Sequence, residues 1–312
     1  MNLYTAIILC ALSLPLFSAN SNCQLPKNLI HLDTKSSLET LLSYKDMKRN
    51  SEQLKTMCVH MLSFDEGQYL WRMVLVYNPN KVKGPFWFLP HDDENTAFDS
   101  TVYATQKYGG GFLAVISNDN RYYKGQDPNR NFGESKQTAQ ICKQQNHPAP
   151  LYSKYVFKVI NSFRKSNMPY LAMHNNKNGW YGNGGSGGIS ILKISTTVRS
   201  YPSKGVLVGK SKGIRDEDSL FYIAGTEANP PAAKLKALLD AGMNVKYEVV
   251  NKKNNDCSMS NYVVLVKRGN YYNIETEHGD ILAQKRMIDE LMKILKVSPI
   301  IEHQADHNLG VF

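Results

Sequence analysis

The chain has 312 residues, of which 42% are hydrophobic and 21% are charged. This balance predicts a folded protein with a sizeable core, and it excludes a largely disordered chain or a bundle of membrane helices. The formal net charge of +10 favours acidic partners. The basic residues are scattered, with no long run interleaved with aromatic residues, so we expect no nucleic-acid binding.

Residues 1–21 have the features of a secretory signal peptide. Their apolar core, residues 7–14, is too short to span a bilayer, and Ala19-Asn20-Ser21 places small residues at the cleavage-determining positions. No later segment is long and apolar enough for a transmembrane helix. We therefore predict an exported protein, periplasmic or secreted, in which residues 22–312 form one domain.

Four cysteines remain in this predicted mature chain: Cys23, Cys58, Cys142 and Cys257. An even number in an exported protein permits two disulfides, with three possible pairings. Buried free thiols are the alternative. The spacings are wide and there is no C-x-x-C pair, so we do not expect a cysteine zinc site.

The apolar patterns of the first half predict strands over residues 69–77, 85–89 and 112–116. A helix over 95–108 separates the last two strands, and three glycines end it. A strand, a helix and a strand within about thirty residues form a βαβ unit, which indicates a largely parallel sheet.

The second half continues this alternation. In order, it predicts a helix over 152–165, a strand over 170–173, a helix over 232–241, a strand over 244–250, a hairpin of strands over 261–267 and 271–277, and a closing helix over 281–296. No internal repeat or linker interrupts it. The predicted fold class is therefore α/β: a single domain with a mixed, mostly parallel central sheet and helices on both faces.

His91 and Glu94 follow directly after the apolar strand 85–89. An imidazole and a carboxylate three residues apart can turn toward one point, and zinc accepts such nitrogen and oxygen ligands. Catalytic zinc usually takes three protein ligands, so this pair needs a second histidine, and His174 stands at the end of the predicted strand 170–173. A polar turn after a strand is the alternative for the pair alone.

A second group of polar residues lies in the segment Asp127-Pro128-Asn129-Arg130-Asn131-Phe132. It offers a planar guanidinium and side-chain amides after a tight proline turn. Arginine is the residue best suited to bidentate recognition of a carboxylate. A structural turn with a solvated arginine is the alternative. Arg121 adds a second cation just upstream.

Together, the H-x-x-E pair, the D-x-N-R-N-F segment, the later histidine and a late strand-end glutamate resemble the zinc carboxypeptidase superfamily. This superfamily includes the branch of succinylglutamate desuccinylase and aspartoacylase. The resemblance implies that His91, Glu94 and His174 bind Zn²⁺, and that Asn129 and Arg130 hold the substrate's terminal carboxylate. It also implies that Arg121 polarises the scissile carbonyl.

The resemblance further implies a glutamate as general base near the last strand. Glu275 and Glu277 both qualify and share one face of a strand, and we favour Glu275. The mobile tyrosine of larger carboxypeptidases has three candidates, Tyr181, Tyr201 and Tyr222. The expected activity is hydrolysis of an amide bond beside a free carboxylate in an exported or cell-wall peptide. The alternatives are an N-acyl amino acid deacylase with the same zinc site and a degenerate binding protein.

Overall fold

The computed structural model describes residues 23–133, 149–176, 188–193, 195–209 and 212–300. The predicted signal peptide, Cys142 and Tyr181 lie outside the described residues. Nine strands form one sheet: β1 (Cys58–Glu66), β2 (Tyr69–Tyr77), β3 (Phe86–Leu89), β4 (Gly111–Val115), β5 (Tyr170–Asn176), β6 (Val198–Tyr201), β7 (Leu220–Gly225), β8 (Asn244–Val249) and β9 (Tyr271–Glu277).

The order of strands across the sheet is β1-β2-β4-β3-β5-β9-β7-β8-β6. The central strands β4, β3, β5 and β9 are parallel to their neighbours in this group. Antiparallel pairs lie on both sides of this group, and β7 pairs with β8 in parallel. The sheet is therefore mixed, with a parallel centre, as the sequence predicts.

Helices cover both faces of the sheet. Those in the described residues are α1 (Leu38–Leu42), α2 (Lys45–Arg49), α3 (Ser51–Leu54), α4 (Asn95–Tyr108), α5 (Pro150–Phe163), α6 (Ala232–Asp240), α7 (Met259–Leu265) and α8 (Ile281–Ile294). One hydrophobic core includes residues of α4, α6 and α8, and the other includes residues of α5 and α7. The α/β fold class with helices on both faces is confirmed. None of the helices within the described ranges is long and apolar enough to cross a membrane.

The unit β3–α4–β4 places the first half of the site. Trp87 and Leu89 face one core while Phe86 and Phe88 face the other, so β3 is buried on both sides. After α4, Gly110 has a φ of +68°, and a Cβ there would lie 1.9 Å from the backbone oxygen of Pro85. Only glycine therefore allows the chain to enter β4 so close to β3.

The predicted hairpin of strands 261–267 and 271–277 is half wrong. The second strand is β9, but the first segment is the helix α7, whose first turn is capped by the Ser258 hydroxyl, which accepts a hydrogen bond from the Asn261 amide. Met259, Tyr262 and Val263 lie on one helical face and are buried in the core beside α5. Tertiary burial of this face outweighs the strand preference of the β-branched residues.

The structure also has strands that the sequence pattern missed, among them β1, which pairs with β2 along its whole length. Cys58 begins β1 and forms a disulfide with Cys23, with Cα atoms 5.2 Å apart. Cys257 is disulfide-bonded as well. Of the two alternatives that the sequence left open, these three cysteines therefore form disulfides rather than free thiols.

Candidate metal centre and adjoining cleft

Two histidines and a glutamate meet at the carboxyl ends of β3 and β5. His91 Nδ1 and His174 Nδ1 lie 3.1 Å apart. Glu94 Oε1 lies 2.8 Å from His91 Nδ1, and Glu94 Oε2 lies 3.0 Å from His174 Nδ1. A tetrahedral ion with bonds of about 2.0–2.2 Å holds its ligand atoms about 3.3–3.6 Å apart. The spacing is close to this, so the three residues fit a metal site.

The local structure explains why these three side chains converge. His91 and Glu94 belong to the turn between β3 and α4, and His174 lies inside β5 rather than after it, because β5 extends to Asn176. Since β3 and β5 are parallel neighbours, their carboxyl ends lie at the same edge of the sheet. All three residues are buried, and within the described ranges they form the only group of histidine, cysteine or acidic residues that could hold a metal ion.

Asp127 contacts the ring nitrogen of His91 that points away from the cluster. Its Oδ1 lies 2.9 Å from His91 Nε2 and also accepts a hydrogen bond from the backbone amide of Asn129 at 2.8 Å. Burial raises the pKa of Asp127, but His91, Arg130 and Arg121 together lower it by more, so the net pKa is well below its usual range. A charged carboxylate here keeps the proton on Nε2 and leaves the Nδ1 lone pair for a metal.

Arg121 lies against the same cluster. Its Nη1 donates to Glu94 Oε1 at 3.0 Å, and its Nη2 is 3.8 Å from Asp127 Oδ2. The backbone amide of Asn175 donates to the other Glu94 oxygen at 3.1 Å. Burial raises the pKa of Glu94, but His174 and His91 together lower it by more, so the net pKa is well below its usual range and the carboxylate is charged.

Glu275 lies on β9 directly opposite His174 in the parallel β5–β9 register. Asn273 Nδ2 donates to Glu275 Oε1 at 2.7 Å, and burial raises the pKa of Glu275 above its usual range. Glu277 lies two residues further along β9, opposite Asn176. Of the two glutamates, Glu275 is the one that lines the neighbouring cleft.

A cleft of about 80 Å³ opens beside Glu275. Asn129 and Arg130 form part of its wall, on the short 3-10 helix Pro128–Arg130. Asn129 Oδ1 accepts a hydrogen bond from the backbone amide of Met259 at 3.2 Å, which ties this helix to α7. The cleft therefore places the predicted carboxylate anchors next to the predicted base.

Arg130 is not isolated in this cleft. Its Nε lies 3.4 Å from Asp256 Oδ2, and its Nη1 donates to the backbone oxygen of Asn129. Burial lowers the pKa of Arg130, but Asp256, Asp127 and Glu248 raise it by more. Any carboxylate that binds here shares the guanidinium with Asp256.

The structure thus brings together the seven residues named from the sequence in two neighbouring features. His91, Glu94, His174 and Arg121 form the first, and Asn129, Arg130 and Glu275 line the cleft. Of the tyrosine candidates, Tyr222 lines the cleft and Tyr201 lies in β6. Sequence reasoning assigned no role to Asp127, although the D-x-N-R-N-F segment begins with it. It also missed Glu248, Asp256 and Asn273, which no motif marks.

No protein-family model matches the chain, and no curated protein matches it. Several solved structures are similar to it. A protein from Shewanella amazonensis SB2B, provisionally named a metallopeptidase, is 12% identical at a TM-score of 0.44, and the match covers 82% of this chain and 91% of that one. Succinylglutamate desuccinylase from Chromobacterium violaceum is 10% identical at a TM-score of 0.40, over 75% of this chain and 69% of that one. A protein from Shewanella denitrificans OS-217, provisionally named carboxypeptidase A, is 12% identical at 0.39, over 78% and 65%.

Proposed function

We propose that this protein is a zinc-dependent hydrolase that cleaves an amide bond next to a free carboxylate, as a carboxypeptidase does. One observation carries the proposal: a buried cluster of two histidines and a glutamate adjoins a cleft that contains both a buried glutamate and an arginine. These are the groups that amide hydrolysis at a chain end requires.

Zinc fits the donor set because two imidazoles and one carboxylate are common ligands of catalytic zinc, and they leave one position for water or substrate. His91, Glu94 and His174 would hold the ion, and Asp127 would orient His91. When bound, zinc would lower the pKa of a water to about 7 and polarise the scissile carbonyl.

Glu275 would act as the general base. Its carboxylate would take a proton from the attacking water and later deliver it to the leaving amine. The raised pKa of Glu275 suits both steps, because the carboxylate must be basic enough to accept the proton and the resulting acid must hold it until it passes to the amine. Arg121 would donate to the developing oxyanion after its contact with Glu94 loosens, a role worth about 3–4 kcal/mol for one donor in other enzymes.

Arg130 and Asn129 would bind the free carboxylate of the substrate and so select the terminal bond. Asn129 Oδ1 is held by Met259, and its Nδ2 donates to no described residue, so this amide can donate to a ligand. The position of these groups beside Glu275 would place the last amide bond over the metal cluster.

We also propose that the protein is exported. The disulfide between Cys23 and Cys58 supports this proposal, because disulfides persist mainly in oxidising compartments. The predicted signal peptide, residues 1–21, would be removed on export. The mass of the mature protein recovered from outside the cytoplasm tests this, and a retained Met1 in a cytoplasmic protein would contradict it.

The activity is tested by a screen of zinc-loaded protein against peptides with free C-termini, muropeptides with D-residues among them, and N-acyl amino acids, with and without chelator. Chelator-sensitive release of C-terminal amino acids would support the carboxypeptidase proposal. Release of an amino acid only from small N-acyl compounds would establish the deacylase alternative. The proposal fails if zinc-loaded, folded protein cleaves none of these substrates.

A further inference from the structure

The cleft beside Glu275 contains more carboxylates than cations. Three acidic residues line it: Glu248, Asp256 and Glu275. Among the described residues of its wall, Arg130 is the one basic side chain. This local excess of negative charge is opposite in sign to the net charge of the chain, so the overall basic composition does not explain it.

Glu248 provides a carboxylate deep in this cleft. It is only 9% exposed, and Asn261 Nδ2 donates to its Oε2 at 2.9 Å. The Tyr222 hydroxyl is its second neutral partner. Burial raises the pKa of Glu248, and the repulsion from Asp256 is the next largest cause of the increase. A positive group bound nearby would relieve both effects, because it would replace lost hydration and compensate the negative charge.

Asn273 gives an independent sign that a ligand with hydrogen-bond donors belongs here. The residue lines the cleft and is 5% exposed, yet its Oδ1 has no hydrogen-bond partner among the described residues. The orientation of the amide is fixed because its Nδ2 donates to Glu275. Asn273 lies on the same face of β9 as Glu275, so a ligand that reaches Glu275 also passes this oxygen. A buried carbonyl oxygen without a partner is unfavourable unless a ligand donates to it.

We infer that this cleft binds the amino acid released by the reaction, and that this amino acid carries a cationic side chain, an amine or a guanidinium. The carboxylate of the ligand meets Arg130 and Asn129. Its side-chain nitrogen donates to Asn273 Oδ1 and to the carboxylates of Glu248 and Asp256. This inference rests on the proposed function, and it holds whether the substrate is a peptide or an N-acyl amino acid, because both leave the same amino acid in the cleft.

The first test measures binding of the released amino acid by calorimetry, without any cleavage. The probes are L-lysine and L-norleucine, which differ by the terminal ammonium group. We expect zinc-loaded protein to bind lysine about 10- to 100-fold more tightly, the range for a charge-assisted hydrogen bond. Equal affinities for the two amino acids, or tighter binding of norleucine, would overturn the inference.

The second test asks which residues carry the preference. Glu248→Gln and Asp256→Asn keep the size of each side chain and remove one charge, and we expect each to reduce the lysine preference about tenfold or more. Asp240→Asn removes an equal charge from the exposed surface of α6 and should leave the preference unchanged. A lysine preference that survives in both cleft variants would show that the cation binds elsewhere. Thermal unfolding of each variant excludes a loss caused by misfolding.

The third test uses kcat/KM for matched peptides that end in lysine or norleucine. The inference predicts that the ratio of kcat/KM between the lysine and norleucine peptides equals the ratio of affinities for the two free amino acids. Absence of cleavage of every peptide and N-acyl substrate would refute the proposed function, while the binding tests would still decide the inference. Cleavage with norleucine preferred or equal would refute the inference and leave the proposed function intact.

Discussion

Asp127→Asn is the substitution that best tests the metal centre. The native carboxylate lies 2.9 Å from His91 Nε2 and is not one of the three candidate ligands. Asparagine has nearly the same shape and retains an oxygen acceptor, but it has no charge. The substitution therefore changes the support of His91 while leaving all three ligands in place.

The expected size of the effect follows from the role of such a carboxylate. Loss of an orienting partner behind a metal-binding histidine typically weakens metal affinity about 10- to 100-fold, which corresponds to about 1.4–2.8 kcal/mol. The fold should tolerate the change, because Asp127 also caps the short helix Pro128–Arg130 and asparagine is an equally good cap. The loss of affinity should therefore be separable from a loss of stability.

The assay is a competition titration of zinc between the protein and a chromogenic chelator, for the wild type, Asp127→Asn and the control Asp65→Asn. Asp65 is an exposed acidic residue of β1, so its substitution tests the general effect of one lost charge. An unchanged zinc dissociation constant in Asp127→Asn would refute the role of this carboxylate. A loss as large in Asp65→Asn would show that net charge, rather than orientation of His91, determines the affinity.

Four further predictions concern the same features. His174→Ala should lose most of the zinc, because two ligands rarely hold the ion, and full metal content in that variant would contradict its assignment as a ligand. Glu275→Gln should keep zinc and lose about 10²–10⁴-fold in kcat, whereas Glu277→Gln should not, and the reverse result would move the base by two residues. Arg130→Lys should lower kcat/KM about tenfold for a peptide with a free C-terminus and leave its amidated form nearly unaffected, and equal losses would indicate a structural arginine. Cys58→Ser should lower the free energy of unfolding by about 4 kcal/mol, the value expected for a closed loop whose ends are 35 residues apart, and urea unfolding with an unchanged midpoint would contradict this.

Strong local patterns were enough to predict much of the sheet and its helices. The bounds of β2, α4 and β9 are those expected from the sequence, because each segment combines a clear apolar period with turn or glycine signals at its ends. The βαβ unit followed from the same patterns, and with it the expectation that polar residues after parallel strands would meet at one edge. The positions of His91, Glu94 and His174 illustrate this.

The helix α7 and the cleft required the tertiary structure. Val263 and Val264 of α7 have strand propensity, and only the packing of this segment against α5 and the core favours the helix. Glu248, Asp256 and Asn273 come from β8, the following loop and β9. They line one cleft because the strand order places β8 and β9 on either side of β7. A sequence motif contains only residues that are close along the chain, so it cannot show which distant residues share this cleft. The charge and unpaired acceptor of this cleft arise from residues brought together by strand order, which depends on the packing of the whole sheet.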